Sequence, residues 1–202
     1  MFKHFWYKSY KPALGILIIM PMDLIQEIAK NRFLLILLEE NEYAKKLQEI
    51  MKSAENTKTK ICYVCMSKPY KDVVEDISRQ KLNVSDFFFI DVLSSHYSEH
   101  EPADNCIFVS APTNLAAIRV AIKKAVEEEK CSVILFDTIS TLLVYQETSS
   151  IVKFTHCILT DEKQEQTKKL FIVLKGGTIP GKENKTLVKD LSMFADKTIH
   201  FS

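Results

Sequence analysis

Glycine is nearly missing from this chain, with 4 residues in 202. Loops whose backbone wraps closely around phosphates need several glycines in one place, because any side chain there takes up the ligand's space. An excess of one charge is also absent: 27 Lys and Arg face 26 Asp and Glu. A general nucleic-acid binder carries a clear basic surplus, so this balance argues against one. The longest apolar stretches are too short for a transmembrane helix, which needs roughly 20 such residues. Cysteine is sparse and odd in number, five in all, and most lie within apolar runs. That usage fits buried thiols in a reducing, cytoplasmic setting rather than a disulfide framework. Present in quantity are apolar side chains, 47% of the chain, enough for the core of one domain.

The first 22 residues differ from the rest. Met1–Lys11 holds Phe2, Phe5, Trp6, Tyr7 and Tyr10 among Lys3, His4, Lys8 and Lys11, with no acid, and Ala13–Met20 follows as an apolar piece. Aromatics crowd the basic part and no small-residue cleavage site follows, unlike a signal peptide. The segment reads as an N-terminal extension before a domain over 23–202. It is an added strand or a leader ahead of Met20 or Met22, with docking on a membrane or a partner as the alternative.

From Asp23 onward, strands and helices alternate. FLLILL (33–38), ICYVCM (61–66), FFFIDV (87–92), CIFV (106–109), VILF (133–136), LFIVL (170–174) and TIHF (198–201) read as strands. Helical spacing covers 23–31, 42–54, a segment marked by Tyr70, Val73, Val74 and Ile77, then 113–129, 149–159, and a last helix through Leu187, Leu191 and Ala195. Residues 94–105, 160–169 and 176–185 read as polar loops. Alternation of this kind predicts a three-layer α/β/α domain, with a mostly parallel sheet covered by helices on both faces.

The chain is organised around CSVILFDTISTLLVY, residues 131–145. An apolar run ends in Asp137, followed by the hydroxyls of Thr138, Ser140 and Thr141. A carboxylate at the carboxyl end of a buried parallel strand sits where open α/β sheets bind ligands. The alternative is an Asp that caps the following turn.

Three segments resemble RecA/KaiC-like ATPases of the archaeal type: ICYVCMSKPYKDVVEDI, VILFDTISTLLVY and LVKDLSMFADKTIHF. FVSAPTNLAAIRVAIKKAVEE and IVKFTHCIL resemble degenerate KaiC-like domains more narrowly. The resemblance spans roughly residues 23–202 and implies a P-loop-NTPase-like sheet. It makes Asp137 the magnesium-binding Asp, beside Thr138. It aligns EENEYAKK (39–46) with the phosphate loop GxxxxGK[ST], so that Lys45 takes the phosphate-binding Lys position and Lys46 replaces the magnesium-binding hydroxyl. Glu39, Glu42 and Ala44 stand where glycines belong. Two like charges about 4 Å apart repel by about 4 kcal/mol at an effective dielectric of 20, so acids here oppose a phosphate. The acid expected past the second strand is replaced by Ser67 and Lys68. A lone Asp is a weak magnesium site without phosphates.

Other constellations are weaker. Cys62 and Cys65 spell CxxC, but residues three apart on a strand point to opposite faces. His96 and His100 are four apart, a zinc spacing if helical, in a stretch without apolar periodicity. His156 reads as a core or interface histidine, Gly176-Gly177 as a chain turn, and the lysines of 163–169 as a solvated face.

The expected function is therefore a non-catalytic RecA/KaiC-like domain that serves as an interaction or regulatory module. No cofactor is expected, ATP with magnesium being disfavoured. The resemblance implies side-by-side self-association, and no partner is named by it. Two alternatives stand beside this: a divergent ATP-binding protein or ATPase using Lys45, Lys46 and Asp137, and a ligand-sensing domain using a crevice near Asp137 and Lys175.

Overall fold

The computed structural model describes residues 23–97, 101–162, 165–176 and 184–201. The first strand, β1 (Phe33–Leu38), is six apolar residues that are all buried. The five residues of β2 (Ile61–Cys65), β3 (Phe87–Asp91) and β5 (Val133–Asp137) are likewise all buried. Strands without alternation must be covered on both faces, as a parallel sheet between helices requires. With β4 (Cys106–Phe108), β6 (Lys168–Leu174) and β7 (Lys197–His200), they form a seven-stranded sheet of order β4-β3-β2-β5-β6-β1-β7. Every pairing in it is parallel. The α/β class expected from the alternation is observed.

Strand periodicity divides the core in two. Leu34, Ile36, Leu38, Tyr63 and Leu135 face α1 (Leu24–Lys30), α2 (Tyr43–Glu55) and α3 (Tyr70–Arg79). Leu35, Leu37, Val64, Ile134 and Phe136 face α5 (Leu115–Glu127), α6 (Thr148–Leu159) and α7 (Lys185–Ser192). Cys62 belongs to the second face and Cys65 to the first, so the CxxC thiols point apart and both are free. Two helix starts follow the expected chemistry. Asp23 accepts from Gln26 N at 3.2 Å, and Asn114 accepts from Ala117 N at 3.0 Å.

Three expectations need correction. Residues 94–97 form a single helical turn, α4 (Ser94–Tyr97), at the start of the stretch read as loop. Asp91 nucleates it by accepting from the N–H groups of Leu93 and Ser94. The loop read over 160–169 ends early, because Lys168 and Lys169 pair with Val133 and Ile134 as the start of β6. Lys169 is only 2% exposed, not part of a solvated face. Of the two readings of His156, the core one is overturned and the interface one is untouched: His156 is exposed on α6, its ring 5.8 Å from that of Phe194.

The topology locates the crevice. From β2 the chain proceeds through β3 to β4 at one edge; from β5 it proceeds the other way, to β6. Because β2 and β5 are neighbours, their carboxyl ends form a switch point, the usual ligand position in an open α/β sheet. Cys65 and Asp137 are paired there.

Candidate functional site

Asp137 ends β5 with its side chain on the face covered by α2, in step with Val133 and Leu135. It is 1% exposed. The same alternation brings Tyr63 of β2 to this face, two residue pairs back in register, opposite Leu135. A tyrosine ring is long enough to cover that step, and the Tyr63 hydroxyl donates to Asp137 Oδ2. The other oxygen is taken from above. After β1 the chain makes a 3₁₀ turn, Glu40–Glu42, and enters α2 at Tyr43. This places the Tyr43 hydroxyl 2.5 Å from Asp137 Oδ1, to which it donates.

The backbone around the carboxylate is equally tied. The Asp137–Thr138 peptide is cis. The Asp137 carbonyl accepts from Met66 N and Ser67 N, both at 3.0 Å. Thr138 N donates to Ser67 Oγ at 3.0 Å, and Thr138 Oγ1 lies 3.2 Å from Ser140 Oγ and 3.0 Å from Thr141 Oγ1. Thr138 is thus buried in a hydroxyl cluster on the far side of the strand end. Asp137 itself does not cap the turn that follows, as one reading of the sequence held; its side chain is given to the two tyrosines.

Charge follows from this enclosure. Burial raises the Asp137 pKa above the ordinary carboxylate value, against the two phenol donors and nearby Lys68, which lower it. Burial, then the charge of Asp137, pushes both tyrosines above the usual phenol range. Both phenols therefore stay protonated at neutral pH and act as donors. Beside them lies a cavity of about 130 Å³, bounded by Lys68, Asp76 and Gln80 among others. Lys68 is held there by Asp76 at 2.6 Å, and Asp76 also meets Arg79 at 3.0 Å.

The lysines aligned with the phosphate loop pair with Glu42 and Glu49 rather than with Asp137. Lys45 is 71% exposed in its side chain and sits 4.0 Å from Glu42. Lys46 pairs with Glu49 at 2.9 Å and lies 4.9 Å from the Phe201 ring centroid. Lys175 bridges Glu39 at 3.0 Å and the Phe201 carbonyl at 3.0 Å. Two acids of the turn thus have cationic partners, and like-charge repulsion there is smaller than the bare sequence suggests. The Tyr43 side chain, at the start of α2, reaches Asp137 and lines the cavity beside it.

Neither tyrosine was marked as a site residue in the sequence, where Tyr43 reads as part of a helical stripe and Tyr63 as part of a strand. The available signal was parity: Tyr63 and Asp137 fall on the same face once β2 and β5 are neighbours. Asp91 was also missed. It is fully buried and accepts from Tyr70 N, Leu93 N, Ser94 N and Ser94 Oγ at 2.6 to 2.9 Å, so it serves the backbone rather than a ligand. His100 and Gly177 lie outside the described residues, as does the extension 1–22. Among the described residues no cluster of His, Cys, Asp and Glu could hold a metal, and no helix is long and apolar enough to cross a membrane.

No protein-family model matches the chain, and no curated protein matches it by sequence. Among solved structures it is similar to a KaiC-like protein of the hyperthermophilic archaeon Pyrococcus horikoshii. The TM-score is 0.57 at 12% identity, over 84% of this chain and 70% of the other. The chain has a RecA/KaiC-type fold. At that identity the likeness speaks for architecture alone.

Proposed function

We propose that this chain is a non-catalytic RecA/KaiC-like domain that works as a protein-interaction or regulatory module. The observation that carries the proposal is the capture of Asp137 by Tyr43 and Tyr63. A magnesium site needs carboxylate oxygens open toward water and substrate phosphates. Here each oxygen already accepts a phenol O–H in a buried setting. Phosphoryl transfer also needs a cradle of backbone N–H groups, a lysine on the phosphates and a residue that positions the nucleophile. The cradle position is a 3₁₀ turn running into α2, Lys45 and Lys46 face other partners, and Ser67 is engaged by Thr138. ATP with magnesium does not fit these residues as they are arranged.

The two alternatives are less well supported. A divergent ATPase needs Lys45, Lys46 and Asp137 to converge, and their side chains go three ways. A ligand crevice beside Asp137 has about 130 Å³, room for a few waters at about 30 Å³ each. The proposed partner is a protein, with self-association included as the resemblance implies.

Calorimetric titration of the full chain with ATP and magnesium is the test. No saturable heat is expected up to millimolar nucleotide. Saturable binding with Kd below about 1 mM, or roughly −4 kcal/mol, overturns the proposal.

A further inference from the structure

An apolar groove lies at the opposite end of the sheet from Asp137. Ile25, Ile28 and Ala29 of α1 face Thr59, Val133 and Lys168, at or just before the amino ends of β2, β5 and β6, across a space of about 380 Å³. Its walls are almost wholly carbon. Ile25 is 40% exposed, and Ala29, one turn later, is exposed as well. The Lys168 ammonium donates to the Ala29 carbonyl at 2.8 Å, which fixes α1 to β6 and holds the groove in shape.

We infer that this groove seats residues 13–20 of the same chain, ALGILIIM. The described structure begins at Asp23, whose extended backbone (φ −76°, ψ 91°) turns the chain off the α1 axis two residues before Ile25. Only Pro21 and Met22 lie between Asp23 and Met20. Met20 is three Cα steps from Asp23, at most about 11 Å, so the start of the apolar stretch is within reach of the groove. A tether this short makes docking effectively intramolecular, at high local concentration. The chemistry also matches: residues 13–20 hold no charge or side-chain hydrogen-bonding group, and the groove presents carbon. Two apolar surfaces adjacent in sequence gain by covering one another rather than facing water separately. The inference is independent of the nucleotide question.

Hydrogen exchange read by mass spectrometry on the full chain at micromolar concentration tests it. Amides of residues 14–20 are expected to exchange at least about tenfold slower than unstructured chain. Ala29→Glu charges the groove at an exposed position. Leu17→Glu charges the segment and leaves the domain untouched. Each should bring residues 14–20 back to within about threefold of the unstructured rate, while β1 stays protected. Free exchange of residues 14–20 in the unaltered chain overturns the inference, as does protection that survives both substitutions. Protection that grows with protein concentration assigns the groove to a second copy instead. Protection that appears only with anionic lipid vesicles assigns the segment to a membrane surface. Either result also overturns it.

Discussion

Removing one oxygen atom from Tyr43 tests the centre of the site. Tyr43→Phe keeps the ring and its packing but leaves Asp137 Oδ1 without the phenol donor at 2.5 Å. A hydrogen bond to a charged group contributes about 1.5–3 kcal/mol, and one to a neutral group about 0.5–1.5. Which range applies depends on pH. Burial sets the folded pKa of Asp137 above its ordinary 3.8, so the folded state binds the proton more tightly than the unfolded one. Stability from this residue is then fully present below pH 3.8 and declines as pH rises through the folded pKa. The Tyr43 donor opposes that shift by favouring the ionised form. Its loss raises the pKa further and steepens the decline. Tyr43→Phe should therefore cost about 1 kcal/mol near pH 4 and about 2–3 near pH 8. With a urea m-value of about 2 kcal/mol/M, the midpoint falls by about 1 M at pH 8 and about half that at pH 4. In an Asp137→Asn background, where no charge develops, the cost should stay near 1 kcal/mol at both pH values. A loss below about 0.5 kcal/mol at pH 8, equal at both pH values, would refute the sealed arrangement.

Asp91→Ala leaves three backbone N–H groups without their acceptor, those of Tyr70, Leu93 and Ser94, and should cost about 3 kcal/mol or more by urea unfolding; a loss under about 1 would mean that water serves them. Burial lowers the Lys169 pKa from 10.5 to about 8, so its contribution to stability is present above pH 10.5 and lost as pH falls through 8. Lys169→Met should flatten the stability profile between those values and raise the midpoint at pH 7; a profile unchanged in shape counts against the buried ammonium. Lys45→Ala removes only an exposed contact at 4.0 Å and should change stability by less than about 0.5 kcal/mol; a larger loss would place Lys45 in the fold.

Much of the architecture could be read in one dimension. FLLILL, ICYVC and VILF are strands because runs without polar residues, bounded by turn residues, need cover on both sides. The helices follow from stripes such as Leu47, Ile50, Met51 and Ala54, all buried. Lys168 and Lys169 misled because their charge suggests solvent, whereas pairing with β5 and β1 draws them into the sheet. The core reading of His156 fails the other way, since a helical stripe does not tell a face centre from its margin.

The sequence on its own determined the layered sheet, the position of Asp137 at a strand end, and the want of glycine in the turn after β1. Each is a property of residues close together in the chain. That the carboxylate is sealed depends on Tyr43, Tyr63 and Asp137, which are 20 and 74 residues apart. They meet only because the chain lays β5 beside β2 and sets the start of α2 above both. Contacts of that kind are decided by strand order and by the path of the backbone, which no local spacing encodes.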